Sequence, residues 1–112
     1  MTDRLPVRLL VTALLRRVSD AGGMAMVLAR GDADDGAILL ITSERGASGR
    51  AFERGLRERG DPPLVPVGPA HADAEALADY WQRRRAHDPD LWVIELDIAQ
   101  AERFAAETIG FY

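Results

Sequence analysis

The chain has 112 residues and a mass of 12.3 kDa; 47% of the residues are apolar, 29% are charged, and the net charge is −4. That composition is ordinary for a globular protein and suffices for one domain with a modest core, not for two. Cysteine and lysine are both absent, all 14 basic residues being arginine, which excludes a disulfide scaffold, a thiol nucleophile, a cysteine zinc site, a phosphate-loop lysine and Schiff-base chemistry.

Asparagine is missing too, while alanine occurs 18 times. This bias is the mark of a GC-rich genome, so the arginine content carries no functional weight of its own. Residues 61–112 hold ten acids against four arginines, and an acidic chain is a poor partner for a phosphate backbone.

In chain order, Val7, Leu10, Val11, Leu14, Leu15 and Val18 fall on one helical stripe, which predicts a first helix over 6–21. Pro6 suits its first turn and Gly22-Gly23 its end. The same stretch is the one candidate for an export segment, but Arg8 and Thr12 interrupt it and no small-residue cleavage site precedes Arg16-Arg17. No stretch approaches the roughly 20 apolar residues of a membrane span, and a cytoplasmic protein is expected.

Residues 24–30 read as a strand, and residues 31–36, with glycine at both ends and acids between, as a turn. Residues 37–42 lack polar alternation, which places them centrally, covered on both faces. After a second turn at 45–49, residues 50–54 complete an antiparallel meander. The proline- and glycine-rich segment 55–70 is irregular, with Leu64-Val65 as a short edge strand. A second helix is predicted from Asp73 to His87, with Ala74, Leu77, Ala78 and Trp81 on one face, and Asp88-Pro89 ends it. Residues 91–97 alternate as a strand, and the tail 98–112 leans helical over 100–107. The expected architecture is one compact α+β domain over 1–112, order α-β-β-β-α-β: a mainly antiparallel sheet of four to five strands with helices packed on one face.

Three pieces carry a family resemblance: Val11-Thr12-Ala13-Leu14-Leu15-Arg16-Arg17, Arg30-Gly31-Asp32, and Asp88-Pro89-Asp90-Leu91-Trp92-Val93-Ile94-Glu95. Together they resemble the small alphaproteobacterial family known as domain of unknown function 1491. The resemblance spans about residues 7–97 and implies a single compact domain. It implies no activity and no catalytic residues.

The candidate chemistry is sparse. Asp32-Ala33-Asp34-Asp35-Gly36 has the look of a calcium loop, but glycine stands at its fifth position and Ser43 at its twelfth, so a polar turn is expected. Gly46-Ala47-Ser48-Gly49 lacks one spacer of a nucleophile elbow and is followed by a strand. His71 and His87 are the only histidines, too few for a three-histidine zinc site; no metal and no cofactor are expected. The run Arg83-Arg84-Arg85 spreads around a helix and is explained by its last-turn position and an Asp79–Arg83 pair.

Arg85 alone continues the apolar stripe, so it is expected to be half buried and clamped by a carboxylate of Asp88, Asp90 or Glu95. Trp81, Arg85, His87, Asp88, Asp90 and Trp92 then form the candidate ligand or partner site. The leading reading is a non-enzymatic binding or interaction module, dimeric through a sheet edge or the first helix, without membrane or nucleic-acid partners. The alternative is an enzyme acting on a small polar substrate at the Arg85–Trp92 corner.

Overall fold

The computed structural model describes residues 5–45, 47–55, 62–70 and 73–110, the side chains of 47 and 48 excepted. Along them run α1 (Val7–Asp20), β1 (Met24–Ala29), β2 (Ile38–Glu44), β3 (Ala47–Arg54), β4 (Leu64–Val67), α2 (Ala74–His87), β5 (Trp92–Asp97) and α3 (Ala101–Ile109). The strands form one sheet in the order β1-β5-β2-β3-β4. β5 runs parallel to β2, and every other neighbouring pair is antiparallel. The α+β class and the mainly antiparallel sheet are as expected, and Leu64-Val65 opens an edge strand.

The meander of the first three strands does not form, because β5 inserts between β1 and β2. The reason is burial. Ile38, Leu39, Leu40 and Ile41 of β2 and Trp92, Val93, Ile94 and Leu96 of β5 are all buried, so the two most apolar strands take adjacent central places. β1, half exposed along its length, goes to the edge.

The helices occupy both faces rather than one. Leu10, Leu14 and Val18 of α1 and Ala101, Ala105 and Ile109 of α3 pack on Ile38, Leu40, Phe52, Trp92, Ile94 and Leu96. On the opposite face Leu77 of α2 packs on Leu39, Ile41, Ala51 and Val93. A strand with no polar alternation needs cover on both sides, and α2 supplies the second layer with Leu77 as its one buried residue. No helix among the described residues is long and apolar enough to cross a membrane.

α3 extends the core rather than ending it. Arg17 of α1 donates to the Thr108 hydroxyl at 2.8 Å and to Glu107 at 3.1 Å, and lies 5.5 Å over the Phe104 ring. Arg103 also donates to Glu107, at 3.2 Å. These bonds, from Arg103 first and Arg17 second, hold the Glu107 carboxyl below the usual carboxylate range. A carboxylate depressed in the folded state stabilises above its unfolded pKa, and that contribution is lost as pH falls through its folded pKa. Glu107→Gln should therefore flatten the acid limb of the stability curve and leave the neutral-to-acid difference smaller, as checked by thermal melts from about pH 7 down to about pH 3. An unchanged acid limb would show that the Arg103 and Arg17 bonds do not hold the Glu107 charge.

Candidate functional site

At the predicted corner, backbone and side chains are engaged with one another. Proline ends α2, and the Asp88 carboxylate accepts from the Asp90 N–H at 3.1 Å, closing the turn into β5. The Asp90 carbonyl accepts from the Asp32 N–H at 3.0 Å, and the Trp92 N–H donates to the Ala37 carbonyl at 2.8 Å. Trp92 itself is buried, with its indole N–H on the Asp32 carbonyl at 2.6 Å. A Cβ at Gly31 or Gly36 would overlap the Asp90 carbonyl, so both positions require glycine for this approach.

Residues 31–36, expected as a hairpin turn, are thus a crossover strap over the start of β5. Their acids serve the strap: the Asp32 carboxylate accepts from Asp34 N–H and Asp35 N–H at 3.1 and 2.8 Å, and Asp34 pairs with Arg8 at 2.9 Å.

The six predicted site residues do not converge. Arg85 is half buried, as its helix phase predicts, but its guanidinium donates to the Arg30 carbonyl just past the end of β1, at 2.8 Å, rather than to a carboxylate. Asp88 is engaged in its turn, Asp90 is exposed, and Glu95 lies further along β5, while β1 ends at Ala29 and leaves the next carbonyl free to accept. Trp81 packs with the α2 layer and Trp92 with the α1–α3 layer, so the sheet separates the two rings. His87 is exposed, its Nδ1 2.9 Å from the Arg83 carbonyl. His71, Gly46 and the Ser48 side chain lie outside the described residues.

The arginine that matters structurally is Arg84. It pairs with Glu53 of β3 at 3.0 Å and donates to the Tyr80 hydroxyl at 3.1 Å. Burial opposes its charge, but the bonds to Tyr80 and Glu53 outweigh that and hold its pKa above the ordinary value. The Tyr80–Arg84 spacing of four and the shared strand face of Ala51 and Glu53 were visible signals. The expected Asp79–Arg83 pair is absent among the described residues.

Two other features stand open. A groove of about 240 Å³ lies between α2 and the sheet, with Leu28, Ile41, Leu77, Trp81 and Glu95 in its lining. Beside it the edge strand β1 exposes Met24 and Met26, at 70% and 55%. No sequence motif marks either, since both arise from which strand becomes the edge.

The sequence matches the family described as protein of unknown function (DUF1491) over residues 5–106. The crystal structure of a DUF1491 family protein from Caulobacter crescentus CB15 is 30% identical, with a TM-score of 0.70, and the match covers 89% of this chain and 92% of that one. The solution structure of a protein from A. tumefaciens is 29% identical at the same TM-score, covering 87% and 88%. No curated protein matches the chain.

The arginine run yields an ordering. Arg84→Ala should cost about 1–2 kcal/mol by stripping the Glu53 and Tyr80 contacts, Arg85→Ala about 1, and the exposed Arg83→Ala about 0.5 or less. Urea melts of the three variants check it; an Arg83 effect equal to that of Arg84 would contradict the helix phase.

Proposed function

Because the chain belongs to the DUF1491 family of proteins of unknown function, its role is read from its own surface, and we propose that it is a non-enzymatic, cytoplasmic interaction module that self-associates by pairing β1 with β1 of a second copy. The contrast between the two sheet edges carries the reading. β4 is four residues long and includes Pro66, which cannot donate to a ladder. β1 is six residues, Met-Ala-Met-Val-Leu-Ala, without proline or charge, and two of its side chains are more than half exposed. Such an edge is a template for another strand, and an antiparallel two-fold pairing closes it with one self-complementary contact.

The corner supports the enzyme alternative poorly, since the Arg85, His87, Asp88 and Trp92 side chains are engaged with backbone. Arg8 on α1 and Arg83 on α2 belong to helices on opposite faces of the sheet, which argues against one basic surface for nucleic acid. The one candidate export stretch is instead the core stripe of α1, with Val7, Leu10, Val11 and Leu14 buried, which favours the cytoplasm.

Light scattering should give a mass near 25 kDa, two copies of the 12.3 kDa chain. Met24→Lys combined with Met26→Ser should return the mass to that of one chain without loss of secondary structure, because a charge on an edge strand blocks pairing. A monomeric wild type at high micromolar concentration, or a variant that stays dimeric, would contradict the proposal.

A further inference from the structure

On the α2 face one register row crosses the sheet as Met26, Glu95, Ile41, Ala51 and Val67. Glu95 is its one charged position and sits on β5, between two neighbouring strands. In the next row along, Ala29, Val93, Leu39, Glu53 and Val65, the carboxylate of Glu53 meets Arg84. Among the described side chains no hydrogen bond or ion pair reaches Glu95. Arg8, Arg17, Arg84 and Arg103 are engaged elsewhere, in ion pairs with Asp34, Glu53 and Glu107, and Arg85 donates to the Arg30 carbonyl. A carboxylate set among apolar neighbours loses hydration, and a cationic partner offsets that loss.

Two strand irregularities meet at the same place. Leu28 is an extra residue of β1 between Val27 and Ala29, and β3 carries an extra residue between Ala51 and Ser48 opposite the Ile41–Ser43 step. Leu28, Thr42 and Gly49 all line the groove. Bulges bend a strand and re-aim its side chains, and they recur beside binding sites. The opposite wall is Leu77, Ala78 and Trp81 of α2. The result is a mainly apolar groove whose lining also holds Thr42, Ser43, one indole and one carboxylate, and an indole is itself an attractive surface for a cation.

We propose that this groove binds a small organic cation: a primary ammonium or guanidinium on a short apolar stem, with the charge at Glu95 and the stem against Leu28, Leu77 and Trp81. The volume, about 240 Å³, is below the roughly 300–1,000 Å³ of sites for larger ligands, which sets the size class. The groove opens on the sheet face, so its occupation stands apart from pairing along the β1 edge.

The test is a ¹H–¹⁵N NMR titration of the full chain with phenethylammonium chloride, against 2-phenylethanol as the neutral isostere. Saturable shifts are expected at the Trp81 indole and the Leu28 and Glu95 amides, with Kd about 1–10 mM. The alcohol should bind roughly tenfold more weakly, and Glu95→Gln should weaken the ammonium by a similar factor. No saturable shift at these positions up to about 50 mM ammonium overturns the proposal. Equal affinity for alcohol and ammonium also overturns it, and that comparison needs only the wild type. A Glu95→Gln protein with an unchanged spectrum and undiminished ammonium affinity would overturn it as well.

Discussion

The N-terminus of α1 has no capping side chain: its cap residue is Pro6, and no acid lies in its first turn. Its first N–H groups are satisfied from outside, Val7 on the Asp34 carbonyl at 3.2 Å and Arg8 on the Ala33 carbonyl at 2.9 Å. Both acceptors belong to the strap 31–36, which is itself held by Asp32 on the Asp90 carbonyl and by the Trp92 indole on the Asp32 carbonyl. A helix start left with unsatisfied donors is costly, so the strap couples three parts of the fold. It seats α1, roofs the beginning of β5, and fixes the step from β1 to β2 across the strand between them. The Asp32 carboxylate keeps the strap in shape by holding two of its N–H groups.

From that coupling follows the distribution of cover. With α1 seated by the strap and tied to α3 through Arg17, one face of the sheet is closed by two helices. The other receives only α2, whose Leu77 and Arg84 reach toward the β2–β3 half. The part of that face nearest β1 stays thinly covered. The exposed methionines and the groove beside Glu95 are two consequences of this asymmetry: an apolar edge without the proline that guards β4, and a carboxylate without the arginine that answers Glu53.

Much of this was legible in the residues. The stripe Val7 to Val18 and the run Ile38–Ile41 each announced a buried element, and Asp73 and Pro89 marked the ends of α2 to within a residue. The unbroken apolar character of β2 already read as cover on both faces, which the expectation of helices on one face contradicted and the second layer of α2 supplies. Strand order was not legible, because hairpin reasoning ranks neighbours by chain proximity, whereas β5 displaced β1 by burying more apolar surface. The partner of Arg85 was not legible either. Side-chain phase is a local property and gave the direction; the acceptor is a backbone carbonyl exposed by where β1 happens to stop. The six predicted corner residues do not converge; of them, the Asp90 carbonyl and the Trp92 indole hold the strap. The groove was missed because its lining comes from four strands and a helix, with only Glu95 out of pattern.

Native-state hydrogen exchange tests the strap's role most directly. The Val7 and Arg8 amides, the Asp32 amide and the Trp92 indole N–H should exchange only with global unfolding, within about 1 kcal/mol of the core amides of Leu40 and Ile94. First-turn helix amides ordinarily fray, so such protection is diagnostic. Exchange of these four groups through a low-energy local opening, with the sheet still protected, would contradict the account.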